Sequence, residues 1–174
     1  MSRTPYDLSR IRAVVFDVDG VLSPSTVAMD SEGRPTRMVN IKDGYAMQLA
    51  VKRGLKLAII TGADTPNIVG RYNSLGITDV FLKASHKEPV LRQWMADNGF
   101  SSAEVAYVGD DIPDLPAMAV AGLSVAPRDA AREVLDRAVY ISPVDGGYGV
   151  ARDLLEQILK ARGQWLSDER AFGW

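Results

Sequence analysis

Two clusters of aspartates stand where apolar segments of the chain give out: Phe16-Asp17-Val18-Asp19-Gly20-Val21 and Gly109-Asp110-Asp111-Ile112-Pro113-Asp114. Side chains alternate along an extended backbone, so Asp17 and Asp19 point the same way. Carboxylates held together raise each other's pKa and destabilise the fold unless a cation lies between them. Asp and Gly after a strand are also ordinary turn formers, but a turn needs no second carboxylate on the same side. Asp111 or Asp114 could cap the helix that follows; Asp110 is then the residue expected to face Asp17. Oxygen ligands from two strand ends, completed by water and a substrate phosphate, describe a Mg2+ site.

Two further residues fit phosphate chemistry. Ile59-Ile60-Thr61-Gly62-Ala63 puts a hydroxyl and a glycine at the end of an apolar run, where the Thr61 hydroxyl and nearby amides can meet a phosphate oxygen. Thr-Gly is a common turn, so its weight comes from its place on a strand beside the one that ends in Asp17. Lys87 stands at a helix start, where lysines are ordinarily solvated, yet a cation there would balance the carboxylates and the phosphate.

These residues need a scaffold that brings several strand ends together. Short β-branched runs at 11–18, 56–61, 79–82, 104–108, 123–126 and 138–141 alternate with helical spacing at about 44–53, 65–74, 88–98, 114–121, 128–136 and 149–161. Continuous apolar strands suit a sheet buried on both faces. The alternation predicts right-handed βαβ units in a parallel, doubly wound α/β sheet, with ligands at the carboxyl ends of the strands. One segment departs from the pattern: Val27-Ala28-Met29, a turn at Asp30-Ser31-Glu32-Gly33, and Thr36 to Ile41 read as a β-hairpin flap spanning about 21–43. It is too short for a second core, so 1–174 reads as a single domain without a large cap. The tail, about 163–174, is less regular, and its Trp165, Phe172 and Trp174 read either as exposed anchors for a partner subunit or as a disordered end.

Composition removes whole classes of chemistry. The 174 residues include no cysteine, which excludes disulfides, thiolate metal sites and a cysteine nucleophile. A lone histidine, His86, excludes a poly-histidine metal site and reads as a polar loop residue. Twenty Lys and Arg against 22 Asp and Glu give no basic face for nucleic acid. No apolar run approaches the roughly 20 residues of a membrane span, and Met1 to Arg12 lacks a signal-like apolar core, so no membrane partner and a cytoplasmic location are expected. Tyr107 and Met118 fit core packing; glycine-flanked Tyr148 reads equally as a loop aromatic over a sugar or as simple packing.

Taken in order, Asp17-Val18-Asp19-Gly20, Thr61-Gly62, Lys87 and Gly109-Asp110-Asp111 resemble the haloacid dehalogenase superfamily of phosphohydrolases. Asn40-Ile41-Lys42-Asp43-Gly44-Tyr45, Leu75-Gly76-Ile77, Val105-Ala106-Tyr107-Val108 and Gly146-Gly147 extend the likeness to the 3-deoxy-D-manno-octulosonate 8-phosphate phosphatase family, which includes nine-carbon sugar acid 9-phosphate phosphatases. The resemblance implies a magnesium-dependent phosphomonoesterase with Asp17 as nucleophile and Asp19 as general acid and base. It implies a metal held by Asp17, the Asp19 carbonyl and Asp110, phosphate oxygens held by Thr61, Gly62 and Lys87, and support from Asp111 and Asp114. Asn40, Ile41, Lys42, Asp43, Gly44 and Arg71 match substrate-contacting positions, and the family's homotetramer implies that neighbouring subunits close each site. Three positions depart from the family: Ala63 and Gln48 stand where arginines are common, and Gly146-Gly147-Tyr148-Gly149 replaces Gly-Gly-Arg-Gly. Alanine and tyrosine cannot give an arginine's bidentate grip on a sugar-acid carboxylate, which leaves the sugar open. Phosphatases of other sugar phosphates or of phosphoproteins, and a non-enzymatic receiver-like phosphoacceptor, are the alternatives; a receiver has no use for Asp19.

Overall fold

The computed structural model describes Thr4 to Gly173. Its elements follow in chain order. Strand β1 (Ala13–Phe16) leads into the flap strands β2 (Ala28–Met29) and β3 (Pro35–Thr36), then α1 (Ile41–Lys52), β4 (Lys56–Ile60), α2 (Pro66–Asn73), β5 (Asp79–Phe81) and α3 (Lys87–Asn98). The second half runs β6 (Val105–Val108), α4 (Leu115–Val120), β7 (Leu123–Ala126), α5 (Arg132–Leu135), β8 (Tyr140–Ile141) and α6 (Val150–Ala161). The sheet is parallel in the order β5-β4-β1-β6-β7-β8, and β2 and β3 form a separate antiparallel pair. This is the doubly wound α/β architecture expected from the alternation of runs.

The position of β1 at the centre explains its unbroken apolar sequence. Val14 and Phe16 enter one core with Met47 and Leu49 of α1 and Leu154, Leu155 and Ile158 of α6. Ala13 and Val15 enter the other with Leu91 and Trp94 of α3 and Met118 of α4. Both faces are covered, so neither parity can be polar. Phe16 is in register with Ile59 of β4 and with Val108 of β6. Asp17, Thr61 and Asp110 therefore leave the sheet within two residues of the same level, where the strand order reverses about β1. Among the described residues no helix is long and apolar enough to cross a membrane.

Several boundaries differ from those read in the sequence. Helix α1 starts at Ile41 rather than near 44, because the Asn40 side chain accepts hydrogen bonds from the N–H groups of Lys42 and Asp43 and caps the helix ahead of Gly44. The second arm of the flap is correspondingly short, with strand geometry only at Pro35–Thr36. Helix α5 is four residues long, since Asp129 is committed to a loop contact, accepting from the Gly146 N–H at 2.8 Å.

The tail, described through Gly173, packs on the body of the same chain. Arg53 grips Asp168 with two hydrogen bonds, at 2.7 and 3.0 Å, and the Tyr45 hydroxyl donates to the Ala171 carbonyl. Trp165 meets the Tyr45 ring edge-on, with the Arg152 guanidinium 4.6 Å over the indole. Phe172 is exposed, whereas Trp165 is half-buried and so is not an exposed anchor; Trp174 lies outside the described residues.

Asp43 joins α1 to α6. Its Oδ1 accepts from the Arg152 N–H at 2.6 Å, satisfying one of the free donors in the first turn of α6, while its buried Oδ2 has no hydrogen-bond partner. Burial pushes its carboxyl up to about 6 against that bond and the nearby Arg152 charge. Ionising Asp43 is thus harder in the folded chain than in the unfolded one. Its contribution to stability falls as pH rises from the ordinary carboxylate value of 3.8 to about 6, and the penalty persists above that. Asp43→Asn keeps an oxygen for Arg152 and removes the charge. Urea unfolding between pH 4 and 7 is expected to show the variant gaining stability relative to the wild type as pH rises through that window; parallel curves would refute the assignment.

Candidate active site

Four chain segments meet at the carboxyl ends of β1, β4 and β6 around a cavity of about 440 Å3, lined by Asp17, Asp19, Thr61, Gly62, Lys87, Asp110, Asp111 and Asp114 among others. Asp17 follows β1 directly and is buried. One of its oxygens accepts from the Val18 N–H at 2.7 Å, and the other lies 2.7 Å from the Lys87 ammonium. Lys87, the first residue of α3, is only 5% exposed, so the solvated fate usual for a lysine at a helix start does not apply.

Asp114 is fully buried and holds Lys87 in place. Its Oδ1 accepts from Lys87 at 2.7 Å and from the Tyr107 hydroxyl at 2.9 Å, and its Oδ2 accepts from the N–H groups of Asp110 and Asp111. Asp111 is exposed and serves the other reading of this cluster, capping the short 3-10 turn at Ile112–Asp114 through the Ile112 N–H. Thr61 is buried, and its hydroxyl oxygen accepts from the Ala63 N–H at 3.2 Å.

The electrostatics call for a cation. Three buried or half-buried carboxylates, Asp17, Asp110 and Asp114, face one ammonium, and an oxygen from each lies within 4.8 Å of the others. Burial, then the charges of Asp17 and Asp114, push Asp110 up to about 8. Burial and the Asp114 charge push Asp17 up to about 6 in spite of Lys87. Burial alone would lower Lys87, but Asp17 and Asp114 carry it above its ordinary value. The two paired groups rise for different reasons: burial and Asp114 disfavour the Asp17 carboxylate, while two carboxylates favour the charged form of the single ammonium. Asp110 Oδ1 is buried without a hydrogen-bond partner, whereas both oxygens of Asp114 are taken. The free valence thus points between Asp110 and Asp17, and hard carboxylate oxygens in that arrangement suit a divalent oxygen-seeking ion.

Gly20 is what lets the two strand ends approach. Its φ of +86° is one that only glycine adopts freely, and a Cβ there would sit 1.9 Å from Asp110 Oδ2. Gly44 plays a similar part in α1, where a Cβ would come within 2.5 Å of the Arg71 guanidinium.

The remaining sequence candidates lie away from this cavity. Asn40 caps α1 and donates to the Gly147 carbonyl at 3.1 Å, Asp43 joins the helices as described, and Ile41 and Lys42 are exposed. Asn40, Asp43, Gly44 and Arg71 border one small cleft. Arg71 also lines a larger cavity of about 640 Å3 between the flap and α2. Of the departing positions, Ala63 lines the acidic cavity and Tyr148 is exposed on the loop before α6.

Two residues of the site escape a reading of the sequence. Tyr107 packs in the core as expected, yet its hydroxyl holds Asp114; a strand residue two before the acidic loop gives no hint of that. Arg37, just past β3, forms a bidentate pair with Asp19: Nε donates to Oδ1 at 2.7 Å and Nη2 to Oδ2 at 2.8 Å. A single basic residue in a polar hairpin carries no periodic signal, and only the folded flap brings it to Asp19.

Comparison with known proteins agrees with this geometry. Residues 71–154 match the haloacid dehalogenase-like hydrolase family. The 3-deoxy-D-manno-octulosonate 8-phosphate phosphatase of Yersinia pestis is 36% identical over 154 residues, covering 88% of this chain and 82% of the relative. A solved cobalt-bound deoxy-D-mannose-octulosonate 8-phosphate phosphatase from Haemophilus influenzae superposes with a TM-score of 0.89 at 31% identity, covering 95% of this chain and 98% of that one. The Moraxella catarrhalis 3-deoxy-D-manno-octulosonate 8-phosphate phosphatase, crystallised with magnesium, phosphate and the sugar acid, gives a TM-score of 0.86 at 32% identity, covering 90% of each chain. The chain belongs to the 3-deoxy-D-manno-octulosonate 8-phosphate phosphatase family of haloacid dehalogenase-like hydrolases and is a phosphoric monoester hydrolase.

Proposed function

We propose that the enzyme hydrolyses the phosphate ester of a small sugar acid, 3-deoxy-D-manno-octulosonate 8-phosphate or a related 2-keto-3-deoxy nonulosonate 9-phosphate, with Asp17 as nucleophile. The observation that carries this reading is the convergence of Asp17, Asp19, Thr61, Lys87 and Asp110 on one cavity. An Asp17 oxygen bonds to phosphorus as the ester P–O bond breaks, giving an aspartyl phosphate and splitting the hydrolysis into two easier steps. Asp19 gives its proton to the departing alcohol oxygen. In the second step it takes one from the water that attacks phosphorus, which releases phosphate and restores Asp17. The Thr61 hydroxyl, the Gly62 N–H and the Lys87 ammonium hold the non-bridging oxygens. Asp114 supports Lys87 from behind and keeps the ammonium in place when Asp17 is esterified, and Asp111 supports the site from its rim.

Magnesium, held by the Asp17 and Asp110 carboxylates and the Asp19 carbonyl, supplies the positive charge that the carboxylates and the phosphate require. The partnerless Asp110 oxygen and the magnesium in the Moraxella relative support this assignment. Asn40, Ile41, Lys42, Asp43, Gly44 and Arg71 form the sugar-side region.

The chain works as one phosphatase domain with residues about 21–43 as a flap, and it assembles as a homotetramer. Support for assembly comes from exposed Met29, Met38 and Ile41 on and beside the flap, an apolar surface of the kind that subunits bury.

Three tests follow. Asp17→Asn is expected to lower kcat by about 10^3-fold or more and Asp19→Asn by about 10^2 to 10^4-fold, each with unchanged circular dichroism; a folded Asp17→Asn protein that keeps substantial turnover would remove Asp17 as nucleophile. In a phosphate-release screen over sugar-acid phosphates, neutral sugar phosphates and nucleotides, chelator is expected to abolish activity and added Mg2+ to restore it. Background rates on every sugar-acid phosphate would overturn the substrate class. Light scattering is expected to give the mass of four 18.9 kDa chains, and a monomer would refute the assembly.

A further inference from the structure

The general acid is not free. Both carboxylate oxygens of Asp19 are engaged by Arg37, and Oδ1 also accepts from the Ser23 hydroxyl at 3.1 Å. The third arm of the guanidinium, Nη1, donates to the Thr65 hydroxyl at 3.0 Å, so the pair also ties the flap to the turn before α2. The Arg37 side chain is 11% exposed against 36% for Asp19, which makes the arginine the more buried partner. The bidentate pair turns both Asp19 oxygens toward Arg37 and holds them there, so turnover requires that the pair open. Opening it would leave a mostly buried guanidinium without a counterion, an arrangement that folded proteins strongly disfavour.

Arg37 stands where the two cavities meet. Asp19 lines the acidic cavity, and Arg37 lines the 640 Å3 cavity together with Arg34 and Arg71. Arg34 is occupied by Asp30 and Glu32 of the flap turn. The Asp19–Arg37 pair thus links the cavity that holds Asp17 to the larger one beside it, which gives the remainder of a substrate room next to Arg37.

We propose that Arg37 is a specificity-determining residue that exchanges one carboxylate for another: the carboxylate of a sugar-acid substrate takes the place of Asp19 on the guanidinium and thereby frees Asp19 to act. The inference rests on the sugar-acid phosphatase reading and deepens it. A carboxylate has the same bidentate match to guanidinium as the Asp19 side chain, so the exchange preserves a charge-assisted bidentate pair, which a neutral sugar cannot supply. Position 37 would thus supply a carboxylate-binding arginine in a chain that has Ala63, Gln48 and Tyr148 at three family arginine positions.

The test compares a sugar-acid phosphate with its carboxamide, identical in size, on the wild type, Arg37→Gln and Arg37→Lys. The wild type is expected to favour the acid by at least tenfold, with part of the difference in kcat rather than KM alone. In Arg37→Gln the KM for the acid rises while kcat for the amide increases, because Asp19 is no longer held, and the acid-to-amide ratio of kcat/KM falls at least tenfold. Arg37→Lys, which keeps the charge and loses the bidentate grip, falls between them, and it carries the mutant arm if the glutamine variant does not fold. A wild type that hydrolyses both compounds with equal kcat, or a ratio unchanged in the variants, overturns the exchange and leaves the sugar-acid reading intact. A wild type that hydrolyses no sugar-acid phosphate overturns both.

Discussion

Lys87 is the residue around which the catalytic end of the sheet is organised. One ammonium, almost out of reach of water, lies 2.7 Å from Asp17 on one side and 2.7 Å from Asp114 on the other. Removing it would leave buried carboxylates without a counterion, an arrangement that costs several kcal/mol in folded proteins. Keeping it still leaves Asp110 unsatisfied. That buried Asp110 oxygen lies beside Asp17, and hard carboxylate oxygens placed together in this way suit a divalent ion. Tyr107 and the N–H groups of Asp110 and Asp111 add the hydrogen bonds that allow Asp114 to remain buried.

The structure divides labour between the sheet and the flap. Asp17, Thr61, Lys87 and Asp110 sit on strand ends or a helix start, positions fixed by parallel pairing and by two cores. Arg37 hangs from a hairpin with two paired residues on each arm and reaches the sheet through Asp19 and Thr65. In the proposed reading, chemistry rests on the sheet and recognition on a light hairpin.

Much of this was legible in the sequence because the physical constraints are local. The continuous apolar run Ala13 to Phe16 is what a central parallel strand requires, and the polar residues that follow mark the ligand end. The pairing of β1 with β4 and β6 follows from the doubly wound pattern, so the meeting of Asp17, Thr61 and Asp110 could be anticipated. What could not be read were contacts set by long-range geometry. The start of α1 was hidden by Gly44 inside its first turn, although Asn40 is a good cap. Tyr107 has the residue type and spacing of a core residue and reveals its hydroxyl's role only once Asp114 is placed. The tail lacks periodicity, and its order comes from Arg53 and Tyr45, more than a hundred residues away.

Gly20 and Gly146 bear on how motion is shared. A Cβ on Gly146 would fall 1.9 Å from the Gly20 carbonyl oxygen, and the Gly147 N–H donates to Val21 at 2.8 Å, so the loop before α6 lies directly on the turn after the nucleophile. Asp43 holds the first turn of α6 from its other side. The start of α6 is therefore tied by hydrogen bonds and close packing to the turn that follows Asp17. Hydrogen exchange of the amides there is expected to follow the order of that turn, although no side chain of the helix lines the acidic cavity.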